Sequence, residues 1–174
     1  MNSNQVVEQL PGLRRYARAL TGDAWAADDL VQDTLERASR KWLLWRSGSD
    51  LRAWLFTLMH NLYLNQRRGL VAVQALDEQA LATLAGADGV ACDVTIDLDR
   101  CLQRLPAEQR AVLLLVTLED LAYADVARVL DIPLGTVMSR LSRARRRMRE
   151  MLDQGPAQAA GTNAGASAAL RRMK

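Results

Sequence analysis

The sequence predicts an all-α protein made of two small helical domains joined by a flexible linker, the C-terminal one a helix-turn-helix. Three observations predict this organisation. Residues 1–69 and 97–153 repeat apolar side chains at steps of three and four, as helices with one buried face do. No stretch of useful length alternates polar and apolar residues as a strand would. Between the two, residues 70–96 are rich in Ala, Gly and Asp, a composition typical of a linker.

The first domain, residues 1–69, is predicted to hold three or four helices. Asp23 is a favourable N-cap for a helix that ends at Arg40. Asp50 is placed to cap a second helix from Leu51 to Arg68, which Gly69 would end. The predicted buried stripe of the helix after Asp23 comprises Ala27, Leu30, Val31, Thr34, Leu35 and Ala38.

The helix after Asp23 turns a carboxylate-rich face outward. This face comprises Asp28, Asp29, Gln32, Asp33 and Glu36. On its own such a face is that of an ordinary solvated helix. Paired carboxylates also occur in metal sites and in acid/base catalysis, but no histidine stands near these in the sequence, so nothing here supports a metal site.

The helix after Asp50 interleaves aromatic residues with amides and arginines. Its polar and aromatic residues are Arg52, Trp54, Phe56, His60, Asn61, Tyr63, Asn65, Gln66, Arg67 and Arg68. This composition suits single-stranded DNA, because bases stack on rings while arginines hold the backbone. Trp54 and Phe56 are also expected in the core, and His60 is expected to be a surface or partly buried imidazole rather than a ligand or base.

A helix-turn-helix is predicted from Ala122 to Glu150. A leading helix starts after Leu105-Pro106, and the segment Asp131-Ile132-Pro133 separates the two helices of the motif. Because proline is tolerated in the first turn of a helix, the second helix is expected to begin near Pro133. Its predicted buried stripe is Leu134, Val137, Leu141, Ala144 and Met148.

The opposite face of that second helix is basic. Six arginines and no acidic residue lie between Leu134 and Arg149. Hydroxyls and arginines in the centre with arginines on both flanks are typical of a helix laid in a DNA major groove. The central residues are Thr136, Ser139, Ser142, Arg143 and Arg146, flanked by Arg140 and Arg147 on one side and by Arg145 and Arg149 on the other. A solvated basic helix, or an amphipathic helix that binds a membrane or an acidic partner, is the alternative.

The composition and charge pattern do not fit a secreted or a membrane-spanning protein. The net charge is only +3, but arginines concentrate the positive charge on the helix-turn-helix. The start of the chain lacks a signal peptide, and the longest apolar run, Ala111 to Leu118, is too short to span a bilayer, so a cytoplasmic location is expected. Cys92 and Cys101 are expected to be plain thiols. Residues 154–174 have the low complexity of a disordered tail.

Three segments together resemble the bacterial RNA polymerase sigma factors of the compact extracytoplasmic-function (ECF) group. The first runs from Tyr16 to Asp23 and from Asp28 to Leu35. The second is Leu51 to Phe56 with Asn61-Leu62. The third extends from Leu105-Pro106 to Arg147 and includes Gly135-Thr136-Val137. The resemblance spans about residues 10–69 and 97–152.

The resemblance implies a role for each segment. The helix with the carboxylate face would bind the β′ clamp helices of core RNA polymerase, and the second domain would meet the β flap. The polymerase-binding residues implied are Asp28, Asp29, Leu30, Gln32, Asp33 and Glu36. Those implied to hold the melted −10 element are Arg46, Ser47, Ser49, Arg52, His60, Asn61, Tyr63, Asn65, Arg67 and Arg68. Those implied to read the duplex −35 element are Pro133, Thr136, Ser139, Arg140, Ser142, Arg143, Arg146 and Arg147.

The same resemblance implies no catalytic residue, no cofactor and no metal, because the polymerase does the chemistry. An anti-sigma factor is implied as a partner. Two positions depart from the family pattern: Asp131 stands where glycine is usual, and Ala122 stands where a hydroxyl N-cap is common. The loss of that cap weakens the helix start by roughly 1 kcal/mol.

Two other classes of protein are the rivals. In a stand-alone helix-turn-helix regulator, residues 1–69 would sense a ligand or form a dimer, which requires an apolar pocket or a dimer stripe. An enzyme that acts on nucleic acid would need metal ligands or a nucleophile, and neither constellation is evident.

Overall fold

The computed structural model describes residues 3–42, 45, 50–74 and 93–153. Within these ranges the chain forms seven α-helices and no strand, which confirms the all-α prediction. The helices are α1 (Ser3–Thr21), α2 (Ala24–Lys41), α3 (Leu51–Gln74), α4 (Asp93–Arg104), α5 (Ala107–Thr117), α6 (Tyr123–Leu130) and α7 (Leu134–Asp153). The predicted tail, 154–174, and residues 75–92 of the predicted linker lie outside the described residues.

The predicted helix starts are confirmed. Asp23 Oδ1 accepts a hydrogen bond from the Ala26 N–H at 2.7 Å, and Asp50 Oδ1 accepts one from the Ala53 N–H at 3.2 Å. Each aspartate thereby satisfies a backbone donor that the first turn of a helix leaves free. Gly22, at φ +75°, makes the left-handed turn between α1 and α2.

The predicted end of α3 at Gly69 is wrong, because the helix continues to Gln74. A glycine inside a helix costs only about 1 kcal/mol relative to alanine, and the residues after Gly69 are again apolar. At the other end of the predicted linker, α4 already begins at Asp93. The helices therefore extend into both ends of the segment assigned to the linker.

The predicted buried stripes are confirmed with two exceptions. On α2 the stripe is buried apart from Leu35, which is only partly covered. On α7 the residues Val137, Leu141, Ala144 and Met148 are buried as predicted. Leu134 was predicted to be buried with them, but it is 44% exposed because it is the first residue of α7 and lies at the edge of the stripe.

The two halves of the described chain, α1–α3 and α4–α7, pack against each other. α3 lies against α6, and α1 lies against α5 and α4, so one cluster of buried apolar side chains runs through both halves. Within it the Tyr16 ring meets the Phe56 ring edge-on, with centroids 5.4 Å apart. The face of α3 that carries His60 and Tyr63 is turned toward the second half. There Arg140 lies close enough to act on His60, and Arg110 lies close enough to interact with Tyr63.

A buried carboxylate joins the two halves. The Glu119 side chain, in the loop between α5 and α6, is 0% exposed. Its Oε2 accepts a hydrogen bond from Arg52 Nη2 at 2.9 Å, and its Oε1 lies 3.3 Å from Arg15 Nη2. Gly12 makes room for it, since a Cβ at that position would lie 2.6 Å from Glu119 Oε2.

Candidate nucleic-acid and polymerase interfaces

The helix-turn-helix is formed by α6, a three-residue turn and α7. Asp131 ends α6 in the left-handed conformation at φ 52°, which aspartate tolerates better than most residues. The Ile132 N–H then donates to the Ala127 carbonyl at 3.0 Å and closes the turn. Ala122 offers no side-chain cap to the start of α6, as its residue type predicts. The turn therefore keeps its shape without the glycine that is usual in it.

The basic face of α7 divides into an exposed centre and a flank that is bonded to α5. Ser139, Ser142, Arg143 and Arg146 are exposed, as is Pro133 just before the helix. On the flank toward α5, the Arg140 Nη2 lies 2.7 Å from Glu108 Oε2, and Arg147 Nη1 donates to Gln109 Oε1 at 3.4 Å. Thr136 and Arg140 are half-buried on this flank. The structure therefore leaves the centre of α7 open and fixes two of the predicted reading residues against α5.

The other flank of α7 carries two exposed apolar residues that sequence reasoning missed. Leu134 was assigned to the core, and Met138, 50% exposed, was assigned to no site. Periodicity places Met138 beside the core stripe and outside it, so its exposure was open to prediction. The exposure of Leu134 could not be predicted in this way, because it depends on which part of the chain packs against the first turn of α7.

The predicted polymerase face of α2 is mostly exposed. Asp28, Asp29, Gln32 and Glu36 face solvent, whereas Asp33 is half-buried and accepts a hydrogen bond from Gln66 Nε2 at 3.1 Å. Leu30 was predicted to belong to this interface, but it is fully buried in the core. The exposed face is thus formed by the carboxylates and Gln32, without an apolar centre from Leu30.

The predicted −10 residues of α3 fall into two groups. Asn61, Asn65, Arg67 and Arg68 are exposed, and the Arg67 guanidinium lies 5.9 Å from the centre of the Tyr63 ring. His60 and Tyr63 are buried, so the expectation of a surface or partly buried histidine is wrong. The reason is tertiary: their face of α3 is turned toward the second half of the chain. Arg46, Ser47 and Ser49 lie outside the described residues.

His60 lies in a pocket where a charged imidazole is unfavourable. Burial, and to a smaller extent the positive charge of Arg140 on α7, lowers the pKa of His60 to about 4. The Tyr16 hydroxyl lies 3.5 Å from His60 Nδ1, and burial raises the pKa of that phenol, which keeps it neutral. The imidazole is therefore uncharged at neutral pH.

Arg52, another predicted −10 residue, is engaged by the second half of the chain. Its Nη2 donates to the Glu119 carboxylate and also to the Glu119 carbonyl oxygen at 2.7 Å. The guanidinium also lies 5.8 Å from the centre of the Phe56 ring. Arg52 is therefore tied to the loop between α5 and α6.

The described residues show neither a metal centre nor a membrane segment. In the ranges that the structure covers, no three His, Cys, Asp or Glu side chains are placed to hold a metal ion. No helix among α1–α7 is long and apolar enough to cross a membrane, judged on these same residues.

The fold and its faces define a helical DNA-binding protein with a basic helix-turn-helix beside a second helical unit.

Comparison with known proteins gives the family. Residues 6–60 match the profile described as the Sigma2 domain of PhyR, and residues 95–148 match that described as Sigma-70, region 4. The ECF RNA polymerase sigma factor EcfG of Rhodopseudomonas palustris is 35% identical over 151 residues, which cover 86% of this chain and 83% of EcfG. SigL of Mycobacterium tuberculosis, also an ECF RNA polymerase sigma factor, is 36% identical over 151 residues, covering 82% of this chain and 83% of SigL.

The structural comparison also finds a sigma factor. The sigma factor RpoE from Bartonella quintana, solved in complex with the anti-sigma factor NepR, superposes with a TM-score of 0.76 at 35% identity, covering 87% of this chain and 96% of RpoE. This chain belongs to the ECF RNA polymerase sigma factors. It is accordingly a transcription initiation factor that binds core RNA polymerase and gives it promoter specificity, and the stand-alone regulator is not favoured.

Proposed function

We propose that three surfaces of this chain divide the work of initiation. The exposed carboxylates of α2 bind the β′ clamp helices of core polymerase, and the helix-turn-helix lies near the β flap. The exposed centre of α7 reads the duplex −35 element, while α3 and residues 46–49 hold the melted non-template strand of the −10 element. The observation that carries the proposal is the separation of an acidic face on α2 from a basic face on α7 in one sigma-family chain.

The arrangement of the two halves adds a condition to this proposal. Arg52, His60 and Tyr63 are covered or bonded by the second half of the chain. For His60 and Tyr63 to touch the −10 strand, and for Arg52 to be released from Glu119, the second half of the chain has to move away from α3. Polymerase binding supplies the free energy for this opening, and the opened protein holds a base that has left the stack, a step that costs a few kcal/mol of unstacking. Free protein should consequently bind the −10 strand poorly, and it should bind promoter duplex poorly because the base contacts of α7 are weak without polymerase.

The proposal includes a cytoplasmic location, an anti-sigma factor as regulator and no catalytic step by the chain itself. The regulator is supported by RpoE, which was solved with the anti-sigma factor NepR. A ligand that stabilises the closed arrangement would keep Arg52 bonded to Glu119 and His60 and Tyr63 covered.

Reconstituted transcription tests the proposed function. Purified protein and bacterial core polymerase are combined on a library of genomic promoter fragments, and RNA start sites are mapped with and without the protein. Specific starts that appear only with the protein are expected, and their upstream sequences define both promoter elements. Absence of initiation together with absence of polymerase binding would refute the proposal.

Arg143→Ala is expected to weaken recognition of the −35 element. Arg143 is exposed at the centre of the basic face of α7, where one guanidinium contact to a base edge contributes about 1–3 kcal/mol. Holoenzyme affinity for the promoter should therefore fall about tenfold or more, with core polymerase binding intact. The measurement is a filter-binding titration, with Arg104→Ala, an exposed arginine on α4, as the matched control. Unchanged promoter choice would refute the groove assignment.

Asp29→Lys is expected to weaken binding to core polymerase while the protein stays folded. Asp29 is exposed on α2, so the substitution reverses one charge of the interface without disturbing the core. Affinity for core polymerase, measured by fluorescence anisotropy at fixed salt, should fall about tenfold or more. Asp99→Lys, the same change on the exposed side of α4, is the control. Wild-type affinity of the Asp29 variant would remove α2 from the interface.

A further inference from the structure

Two large apolar side chains are exposed on the first two turns of α7. Leu134 is 44% exposed and Met138 is 50% exposed. They are four residues apart, so both lie on the same side of the helix. This side is the flank opposite Arg140 and Arg147, which are bonded to α5. The chain therefore offers a small apolar patch at the end of α7 that would enter a major groove first.

The backbone beside this patch is open. Gly135 lies between the two residues, and a Cβ added there would meet nothing within 4 Å. A glycine at an exposed helix start gives up helix stability of about 1 kcal/mol relative to alanine. Because Gly135 has no side chain, another surface can approach the first turn of α7 closely. The apolar pair and the bare backbone thus form one accessible surface.

The positive charge around the patch favours a nucleic acid as its binding partner. Six arginines and no acidic residue lie between Leu134 and Arg149, and Ser139 and Ser142 adjoin the patch on the exposed side. An apolar patch framed by hydroxyls and arginines matches a groove with phosphates on both sides and base edges at its floor. The chemical group on that floor that favours an apolar side chain is the C5-methyl of thymine.

We propose that Leu134 and Met138 contact thymine methyl groups in the duplex −35 element and so determine part of its sequence. The proposal rests on the proposed function, in which α7 lies in the major groove. Hydroxyls and arginines then read hydrogen-bonding groups in the centre of the face, while the apolar pair distinguishes thymine from the other bases at one edge. Helix N-terminal residues are the ones that reach base edges in this motif, and both side chains belong to those turns.

The test replaces thymine by deoxyuridine, which removes only the methyl group. Holoenzyme is reconstituted with wild-type protein, Leu134→Ala or Met138→Ala, and its affinity is measured for promoter duplexes in which each thymine of the −35 element is replaced singly. At one or two positions deoxyuridine should weaken wild-type binding about fourfold, the effect of about 0.8 kcal/mol for one buried methyl-sized group. At a contacted position the matching alanine variant should bind thymine and deoxyuridine equally well. Leu152→Ala, an exposed leucine at the far end of α7, should keep the wild-type response.

Each other outcome overturns the proposal. Deoxyuridine that changes wild-type affinity at no position, a −35 element without thymine, or an effect that persists in both alanine variants would exclude methyl contact. Loss of polymerase binding by Met138→Ala without a deoxyuridine effect would assign the patch to a protein contact instead. Specific start sites with any of these results would leave the proposed function standing, whereas no specific start site at all would overturn both.

Discussion

Glu119→Ala should lower the free energy of unfolding by about 3 kcal/mol, because it removes a buried carboxylate that pairs with two arginines. The Glu119 side chain is 0% exposed, whereas those of Arg15 and Arg52 keep 54% and 37% of their surface exposed. The arginines therefore stay hydrated in the variant, which holds the loss at the lower end of the range for broken buried pairs. The hydrogen bond from Arg52 to the Glu119 carbonyl oxygen remains available.

Urea unfolding at neutral pH measures this loss, and Glu36→Ala is the matched control. Glu36 forms an ion pair with Arg40 at 3.2 Å, but both side chains are exposed. Removal of an exposed pair should change stability by less than about 1 kcal/mol. Equal effects of the two variants would mean that burial of Glu119 contributes nothing to holding the halves together.

Glu119→Ala also tests whether the ion pair controls access of DNA to α3 in addition to stabilising the fold. If Glu119 holds Arg52 away from DNA, Glu119→Ala should raise the affinity of the free protein for single-stranded −10 DNA, and Arg52→Ala in the same chain should abolish the gain. Reduced stability without any gain in DNA affinity would show that the ion pair supports the fold but does not control access to α3.

Acidification should destabilise the protein through His60. The folded-state pKa of about 4 lies below the ordinary value of 6.5, because burial and the Arg140 charge disfavour the imidazolium. A depressed histidine pKa means that the unfolded chain binds the proton more readily, so stability is complete above pH 6.5 and is lost as pH falls toward 4. With 1.36 kcal/mol for each pKa unit, the loss is about 1.3 kcal/mol between pH 7.5 and 5.5 and about 3 kcal/mol by pH 4.

The chain contains one histidine, so His60→Gln isolates this effect. The variant should show a difference in unfolding free energy between pH 7.5 and 5.5 that is smaller than that of the wild type by about 1 kcal/mol. Asn61→Gln, an exposed neighbour on α3, should retain the full pH dependence. The idea fails if wild type and His60→Gln respond identically to pH, since the imidazole would then be accessible to protons in the folded protein.

Local sequence predicted the starts of α2 and α3 and the turn before α7, because the signals for them are local. The N-caps at Asp23 and Asp50, the break at Asp131 and the buried stripe of α2 each depend on residues within a few positions of one another. The end of α3 was mispredicted for a related reason. A single glycine favours a helix end only weakly, and here the helix passes through Gly69.

The features of the candidate site that depend on neighbouring residues could be predicted from the sequence, and those that depend on packing between distant residues could not. Residue type and a period of 3.6 were enough to predict the all-α fold, the acidic face of α2 and the basic face of α7. The helix α4, whose first residues were assigned to the linker, was not predicted. The sequence also carried the motifs that place the chain among the ECF sigma factors. Which members of these faces are accessible depends on how the helices pack together. His60 and Tyr63 are buried and Arg52 is bound to Glu119, because the two halves pack together through contacts between residues far apart in sequence, and the period of a helix carries no information about what lies opposite it.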